Sequence, residues 1–262
     1  MYEFCVLGPV GMRSAGVEAP LGGCKQRTIL ATLLLADGWV VSDSDLGAVL
    51  WERKPPATYQ AQIYTYASRL RGHFKGGATI TRCGRGYRIE RAGARFDLAD
   101  FYRLAKEGQS LMGAGDVDGA AVRFRTALDL WSGPTLTGVT DALIDNERSR
   151  IDLARMEVLE SRIEADLRLG RHHALVGELS QLVGAHPLRE TFRAKLMIAL
   201  HRSDRQAEAF DAFYEGCRLL RDQLGVDPGP ALRGAHQAIL EEGLEPALPG
   251  RGGLMVGAGG RP

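Results

Sequence analysis

The sequence predicts an α+β region over residues 1–93, followed by an all-helical region over residues 97–243. Three observations support this fold class. Short alternating runs near the N-terminus and between residues 79 and 90 are typical of strands. Elsewhere apolar residues recur at helical spacing, and from residue 97 onwards no convincing strand interrupts it. The charge is also uneven, since residues 1–95 contain 13 Lys and Arg against 7 Asp and Glu, whereas the remainder contains 20 against 25.

Within the first region the predicted order is strands, three helices and a β-hairpin. Ser42, with Asp45 three residues later, fits the N-terminal cap of the second helix. The two glycines of the Cys83–Gly86 turn allow the positive φ that a tight hairpin needs. The predicted elements are strands in residues 4–8 and 10–21, a helix from Lys25 to Asp37, an extended link at 39–41, helices over 43–50 and 55–75, and strands over 79–82 and 87–90.

The second region is predicted to contain helices only, joined at glycines, prolines and aspartates. Leu167–Arg171 aligns with His201–Arg205 at a spacing of 34 residues, the period of tetratricopeptide helix pairs, so we expect tetratricopeptide-like packing. A short linker is predicted within residues 91–95, and the Gly- and Pro-rich tail, residues 244–262, is predicted to be disordered. The predicted helices cover residues 97–113, 117–130, 141–169, 172–184, 188–201, 204–224 and 229–241.

Composition and motifs argue against an enzyme, a secreted protein and a membrane protein. No apolar run approaches the roughly 20 residues that span a bilayer, and no basic segment precedes an apolar one at the N-terminus, so a cytoplasmic protein is expected. The four scattered cysteines are predicted to be buried or idle thiols. Gly22–Lys25 lacks the spacing of a phosphate-binding loop, and the adjacent His172 and His173 diverge by about 100° on a helix. We therefore predict no catalytic residue, no metal site and no cofactor.

The predicted helix over residues 55–75 has two different faces. One face is apolar and is expected to join the core; it comprises Tyr59, Ile63, Tyr66, Ala67 and Leu70. The opposite face carries small or hydrogen-bonding side chains and no acidic residue; we expect DNA contacts from Thr58, Gln62, Tyr64, Thr65 and Arg69. A helix that enters a major groove needs small residues for close approach and amide or guanidinium groups to reach base edges and phosphates.

Basic residues at the end of this helix and around the following hairpin extend the predicted DNA surface. Those residues are Arg71, Lys75, Arg82, Arg85 and Arg88, and only Glu90 opposes them between residues 53 and 91. A basic hairpin that follows a basic helix can contact phosphates or a minor groove. The alternative remains that residues 55–75 form an ordinary amphipathic helix whose outer face contacts only solvent. The Arg-rich turn would then also be solvent-exposed without a binding role. Replacement of Arg69 or Arg71 by Ala is expected to weaken DNA binding with little change in stability.

Twelve ordered motifs resemble the Streptomyces antibiotic regulatory protein family of transcriptional activators, over about residues 3–242. Cys24 is a departure, since a proline is usual there, and Cys83 is another. The matching stretches are Phe4–Pro9, Leu21–Arg27, Leu50-Trp51 with Pro55–Thr58, Tyr66–Arg71, Gly86–Ile89, Asp97–Phe101, Ala127–Pro134, Arg162–Arg171, His186–Glu190, Leu196–Leu200, Arg205–Ala209 and Leu224–Leu232.

The resemblance implies a winged helix-turn-helix of the response-regulator effector type, followed by an all-helical bacterial transcriptional activation domain. It also implies an activator of antibiotic or other secondary-metabolite gene clusters that binds direct repeats near the −35 promoter element. The implied partners are double-stranded DNA, RNA polymerase with its σ factor, and further copies of the chain on DNA. Lys25 and Arg27 of the matching Lys-Gln-Arg stretch join the predicted DNA contacts. The chain resembles the small form of the family, without an ATPase module. Two alternatives stay open: a repressor or architectural DNA binder of the same fold, and a helical-repeat scaffold that does not bind DNA.

Overall fold

The computed structural model describes residues 2–14, 16–52, 54–74 and 78–244, with the backbone alone for residues 242–244. It divides into two compact units, residues 1–169 and 170–262. Among the described residues, no helix combines the length and the apolar character needed to cross a membrane.

The first part of the first unit follows the predicted order of strands, three helices and a hairpin. Its elements are β1 (Tyr2–Cys5), β2 (Gly11–Ser14), β3 (Val17–Glu18), α1 (Gly23–Leu35), β4 (Val41–Ser42), α2 (Asp43–Trp51), α3 (Tyr59–His73), β5 (Thr79–Cys83), β6 (Gly86–Glu90) and β7 (Arg95–Phe96). The predicted cap of α2 is confirmed, since the Asp45 N–H donates to Ser42 Oγ over 3.1 Å.

The start of α3 corrects the prediction of a helix from residue 55. The helix begins at Tyr59, and a turn precedes it in which the Tyr59 N–H donates to the Pro56 carbonyl over 2.9 Å. The residue before a proline is disfavoured in helical geometry, so Pro55 cannot readily continue into a helix through Pro56. Thr58 consequently stands at the N-cap of α3 rather than inside the helix.

Two small sheets frame the three helices. One has the order β3-β2-β1-β7, in which β7 runs parallel to β1, and the other has the order β4-β6-β5. The predicted link at residues 39–41 thus ends in a strand, because Val41 and Ser42 pair with Tyr87 and Gly86. A Cβ atom at residue 86 would lie 2.5 Å from the Val41 carbonyl oxygen, so this pairing requires glycine.

The second part of the first unit consists of three helices, α4 (Asp97–Gly113), α5 (Val117–Leu128) and α6 (Asp141–Arg168). Consecutive helices pack against each other. Between α5 and α6 the chain returns to the N-terminal sheet: the Ser132 and Leu136 N–H groups donate to the carbonyls of Leu7 and Val6 over 2.9 and 3.0 Å. These backbone bonds attach the segment between α5 and α6 to the residues that follow β1.

Asp97 joins the two parts of this unit. Its side chain is only 7% exposed, and its carboxylate accepts hydrogen bonds from the N–H groups of Val6, Leu7 and Leu98 over 2.7–3.0 Å. The predicted linker at residues 91–95 is in fact a tight turn that leads directly into β7, with the Ala94 N–H donating to the Arg91 carbonyl. The first helices of the all-helical region therefore share one core with the N-terminal sheet.

The second unit comprises four helices, α7 (His172–Ala185), α8 (Glu190–His201), α9 (Gln206–Leu224) and α10 (Pro230–Leu244). α8 lies at its centre and packs on the other three. The Glu190 carboxylate accepts from the Gly229 N–H over 2.6 Å, which holds the start of α10 beside α8. Leu244, the first residue of the predicted disordered tail, ends α10. Residues 245–262 lie outside the described part of the chain.

Replacement of Asp97 by Ala should destabilise the protein. Three backbone N–H groups would lose their acceptor in a buried place, at a cost of about 3 kcal/mol in the free energy of unfolding. Urea denaturation followed by circular dichroism measures this loss. The matched control is Asp145→Ala, because Asp145 is exposed and its carboxylate has no bond to a described residue. Equal stability of the two variants would contradict the role assigned to Asp97.

The same variant tests the ionisation of Asp97. Burial raises the pKa of Asp97 to about 6, although its three N–H donors act in the opposite direction. The pKa of an unfolded Asp is about 3.9. At a pH between about 3.9 and about 6, Asp97 is therefore mostly protonated in the folded state and mostly ionised in the unfolded state. Wild-type stability contributed by Asp97 is therefore present below pH 4 and lost as the pH rises to 6. The stability gap between wild type and Asp97→Ala should widen as the pH is lowered from 7 to 5; a constant gap would contradict this.

Candidate nucleic-acid interface

The inner face of α3 anchors the helix on α1 and α2. Ile63, Ala67 and Leu70 are fully buried, and Tyr59 and Tyr66 are half-buried against the same core, as the sequence predicts. α2 can approach closely because residue 47 is glycine: a Cβ atom there would lie 3.2 Å from the Tyr59 ring. The opposite side of α3 is thereby held facing away from the core.

The outer face of α3 brings together five of the predicted DNA contacts. Tyr64 is 61% exposed, and Thr58, Thr65 and Arg69 are exposed as well. The Gln62 amide donates to the Thr58 hydroxyl over 3.2 Å, which fixes its orientation along the helix. No acidic side chain occurs in α3, and the Arg69 guanidinium has no hydrogen-bond or ionic partner among the described residues. This surface can donate and accept hydrogen bonds and carries an available positive charge.

The hairpin is clamped to the start of α2. Arg82 donates two parallel hydrogen bonds of 2.6 Å to the Asp43 carboxylate, whose side chain is only 4% exposed. The guanidinium also lies 4.6 Å from the centre of the Tyr87 ring. Hydrogen bonding to the Asp43 carboxylate is the main cause that raises the pKa of Arg82 above its usual value. Arg82 therefore has a structural partner, and its guanidinium serves first to orient the hairpin.

The turn of the hairpin presents Arg85. Gly84 has a φ of +58° at the first position of a two-residue turn, where a type II′ turn favours glycine. The Arg85 carbonyl accepts from the Asp43 N–H over 2.8 Å, while the Arg85 side chain is exposed. The backbone of the hairpin tip is therefore fixed. The Arg85 guanidinium has no hydrogen-bond or ionic partner among the described residues.

The remaining predicted contacts are occupied or lie elsewhere. The Arg71 Nε donates to the Ile80 carbonyl over 2.7 Å, and Arg88 pairs with Glu90 over 2.6 Å. Arg71 therefore joins α3 to β5, so we now expect Arg71→Ala to reduce stability more than Arg69→Ala does. Lys75 lies outside the described residues.

Lys25 and Arg27 of α1 lie against groups outside the hairpin. The Lys25 ammonium lies 4.5 Å from the centre of the Trp51 ring, at the end of α2. The Arg27 side chain lies against Gly138, at 3.4 Å from an ideal Cβ position there. Contact of these two residues with DNA stays a prediction.

Asp43 is the functional-site residue that sequence reasoning missed. Helix capping accounts for the neighbouring Ser42 and Asp45, and the partner of Asp43, Arg82, is 39 residues away. No local spacing could reveal that pair. Among the described residues, no group of His, Cys, Asp and Glu side chains could hold a metal ion. Burial, the largest cause, raises the pKa of Cys5 to about 11, so this thiol is protonated at neutral pH.

Comparisons with known proteins agree with this architecture. A family model described as the bacterial transcriptional activator domain matches residues 96–240. The regulatory protein DnrI of Streptomyces peucetius is 37% identical over 246 residues, which cover 90% of each chain. The regulatory protein AfsR of Streptomyces coelicolor is 42% identical over 247 residues, which cover 94% of this chain and 25% of AfsR. This chain thus spans about a quarter of the length of AfsR.

A solved structure extends the similarity to three dimensions. Mycobacterium tuberculosis EmbR, in complex with a low-affinity phosphopeptide, superposes with a TM-score of 0.82 at 29% identity, covering 92% of this chain and 65% of that chain. The family match and the similarity to regulatory proteins over most of the chain identify a transcriptional regulator. The chain belongs to the Streptomyces antibiotic regulatory protein family of transcriptional activators.

Removal of the hairpin clamp should cost stability, whereas removal of the available Arg69 should not. Arg82→Ala leaves a buried carboxylate without its partner and should lower the free energy of unfolding by about 2 kcal/mol. Arg82→Lys should lower the free energy of unfolding by an intermediate amount, because an ammonium cannot donate two parallel hydrogen bonds to the Asp43 carboxylate. Arg71→Ala should lower the free energy of unfolding by about 1 kcal/mol, because the hydrogen bond to the Ile80 carbonyl is lost. Arg69→Ala should stay within about 0.5 kcal/mol of wild type in the same urea titration. Equal stability of the Arg82→Ala and Arg69→Ala variants would exclude the clamp.

Proposed function

We propose that this protein is a sequence-specific DNA-binding transcriptional activator whose residues 1–93 form a winged helix-turn-helix of the response-regulator effector type. Residues 97–243 form its tetratricopeptide-like activation domain. The observation that carries the proposal is the outer face of α3, which is free of acidic side chains, together with the basic hairpin that Arg71 joins to α3 and that exposes Arg85 at its tip. A face of this kind is suited to DNA, a polyanion whose major groove exposes the base edges.

In the proposed complex α3 enters the major groove. Thr58, Gln62 and Thr65 are short enough for close approach and can exchange hydrogen bonds with base edges, and Arg69 can reach a guanine or a phosphate. Tyr64 extends from the same face and is 61% exposed. Base contacts therefore come from the first three turns of the helix.

The hairpin acts as the wing in this proposal. Arg85 contacts the sugar-phosphate backbone beside the groove, and Arg82, held by Asp43, sets the position of the tip. Arg71 and Arg88 contribute mainly through the field of their charges, because both have protein partners. Lys25 and Arg27 are candidates for backbone contacts on the other flank, and Lys75 remains a predicted contact.

The activation domain is proposed to recruit RNA polymerase with its σ factor to promoters that carry direct repeats near the −35 element. Copies of the chain on adjacent repeats would associate with each other. Membership of a family that includes the regulatory proteins DnrI and AfsR supports control of an antibiotic or other secondary-metabolite gene cluster. No cofactor is required by this proposal.

Selection of bound fragments from a library of promoter DNA, followed by footprinting, tests the DNA-binding part. The activator part is tested by transcription from a selected promoter with purified polymerase holoenzyme. Increased transcript supports activation, whereas decreased transcript from the same DNA would show a repressor of the same fold. Failure to select any DNA would favour a helical-repeat scaffold.

Alanine substitutions on α3 and the hairpin tip should weaken DNA binding without unfolding the protein. Arg69→Ala should reduce affinity about tenfold, the loss expected for one guanidinium contact to a base. Arg85→Ala should weaken binding to all sequences similarly and lower the slope of log affinity against log salt by about 1. Mobility shifts over a series of salt concentrations measure both effects.

Arg233→Ala provides the control for these variants. Arg233 is exposed on α10, and its substitution by Ala removes the same single charge. DNA affinity should stay nearly unchanged, because Arg233 is not part of the proposed interface. If Arg233→Ala weakens binding as much as Arg69→Ala, net charge alone explains the effect. The assignment of α3 as the reading helix would then be wrong.

A further inference from the structure

A small cavity lies on the N-terminal sheet, and its lining includes no residue of α3 or of the hairpin. Its volume is about 170 Å³, and all of its lining belongs to the first unit. Pockets for drug-sized ligands measure roughly 300–1,000 Å³, so this cavity suits a smaller molecule. Its lining includes Cys5 of β1, Gly11 and Arg13 of β2, Glu18 of β3, and Ser132 of the segment between α5 and α6.

Arg13 stands between two glutamates in the strand register, yet it is paired with neither. Glu3 of β1 and Glu18 of β3 lie directly opposite it. Opposite charges at such positions usually pair across the strands. Here no hydrogen bond or ion pair joins the Arg13 side chain to a described residue. Glu18 Oε1 lies instead over Gly11, 3.6 Å from an ideal Cβ position there. The guanidinium and the Glu18 carboxylate therefore line one cavity without pairing with each other.

Glycine at residue 11 opens the floor of the cavity. A Cβ atom there would make only ordinary contacts, at 3.6 Å from Glu18 Oε1 and 3.9 Å from the Pro9 carbonyl oxygen, so the fold does not require glycine. The register partner of Gly11 is Cys5, whose half-buried thiol is protonated at neutral pH because burial raises its pKa to about 11. The cavity thus combines one cation, one anion, a neutral thiol and the Ser132 hydroxyl.

We propose that this cavity binds a small free α-amino acid in its zwitterionic form. The carboxylate of the ligand accepts two parallel hydrogen bonds from the Arg13 guanidinium, and its ammonium donates to the Glu18 carboxylate. A zwitterion pairs both charges of the cavity at once, whereas a simple anion or a simple amine would pair only one of them. The Ser132 hydroxyl and the Cys5 thiol are neutral polar groups that suit a short side chain.

The position of Ser132 gives this binding a consequence for the fold. Its N–H donates to the Leu7 carbonyl over 2.9 Å, in the connection that attaches the segment between α5 and α6 to the residues after β1. A ligand held by Arg13, Glu18 and Ser132 contacts both sides of this connection and therefore stabilises the first unit. The inference does not depend on DNA binding, because no proposed DNA contact lines the cavity.

The test uses the full chain without DNA, in thermal unfolding and in calorimetric titration. The probes are glycine, L-alanine, L-serine, L-threonine and L-cysteine, each added separately. Because both charged side chains are exposed, we expect a Kd of about 1 mM, so that about 10 mM ligand nearly saturates the site. At that concentration one or more of the five should raise the melting temperature by about 3 °C. Sodium acetate and methylammonium chloride each carry one of the two charged groups and should have little effect.

Three variants and one control locate the site. Arg13→Gln and Glu18→Gln should each weaken binding about tenfold, because each removes one of the two charged contacts. Gly11→Ala should weaken it as well, since the added methyl group occupies the floor of the cavity while its ordinary contacts leave the fold intact. The control is Glu3→Gln, which removes a carboxylate opposite Arg13 but outside the cavity lining and should keep the wild-type affinity.

Three results would overturn the inference. One is the absence of both a melting shift and a heat of binding with all five amino acids. Another is an equal melting shift in wild type and Gly11→Ala, which would indicate a general effect of the solute. The third is equal stabilisation by acetate, or full affinity in Glu18→Gln, because Arg13 would then be a simple anion site. Binding that is lost in the three variants and kept in Glu3→Gln supports the amino-acid site.

Discussion

The buried carboxylate of Asp97 is the constraint on which the first unit depends. It stands at the first residue of α4 and accepts from two successive N–H groups that follow β1 and from its own helix terminus. A helix N-terminus favours a negative charge, while burial opposes one, and burial is the stronger effect on its pKa. Because the three donors converge on one side chain, β1 and α4 cannot separate without exposing all of them. The activation domain therefore begins as part of the N-terminal core.

A second set of contacts links the start of α6 to α1 and α2, the helices that support the proposed DNA interface. The Thr28 hydroxyl of α1 accepts from the Thr140 N–H over 3.0 Å, and the Thr140 hydroxyl donates to the Val49 carbonyl of α2 over 2.6 Å. One residue before α6 thus touches both helices that support α3. Asp43 then links α2 to the hairpin through Arg82. α3 and the hairpin tip are thus held in one frame, and a fixed geometry of this kind is what the proposed DNA interface requires.

Periodicity was sufficient to predict most elements and the division of α3 into two faces. Ile63, Ala67 and Leu70 recur at helical spacing, and that spacing places them on one side of any helix. The roles of Arg71, Arg82 and Asp97 could not be predicted in the same way. Each depends on a partner distant in sequence or on a backbone group that has no sequence signature: Ile80 O, Asp43, and the N–H groups of Val6 and Leu7. The strands β4 and β7 were missed for a related reason, since two-residue strands exist only through their neighbours.

The distinction between paired and available arginines alters how the positive charge of residues 53–91 should be understood. Between residues 53 and 91 the sequence shows one acidic residue against nine basic ones, which suggests many phosphate contacts. Among the described residues, Arg71, Arg82, Arg88 and Arg91 are already engaged with protein groups. A guanidinium held by a buried carboxylate would have to leave a charge unpaired in order to bind phosphate, at a cost that exceeds the gain at a solvated contact. In the proposed complex, net charge attracts DNA over a distance, whereas Arg69 and Arg85 are the described arginines of α3 and the hairpin that remain available to contact it. Specificity would then come from a few available side chains that the paired ones hold in position.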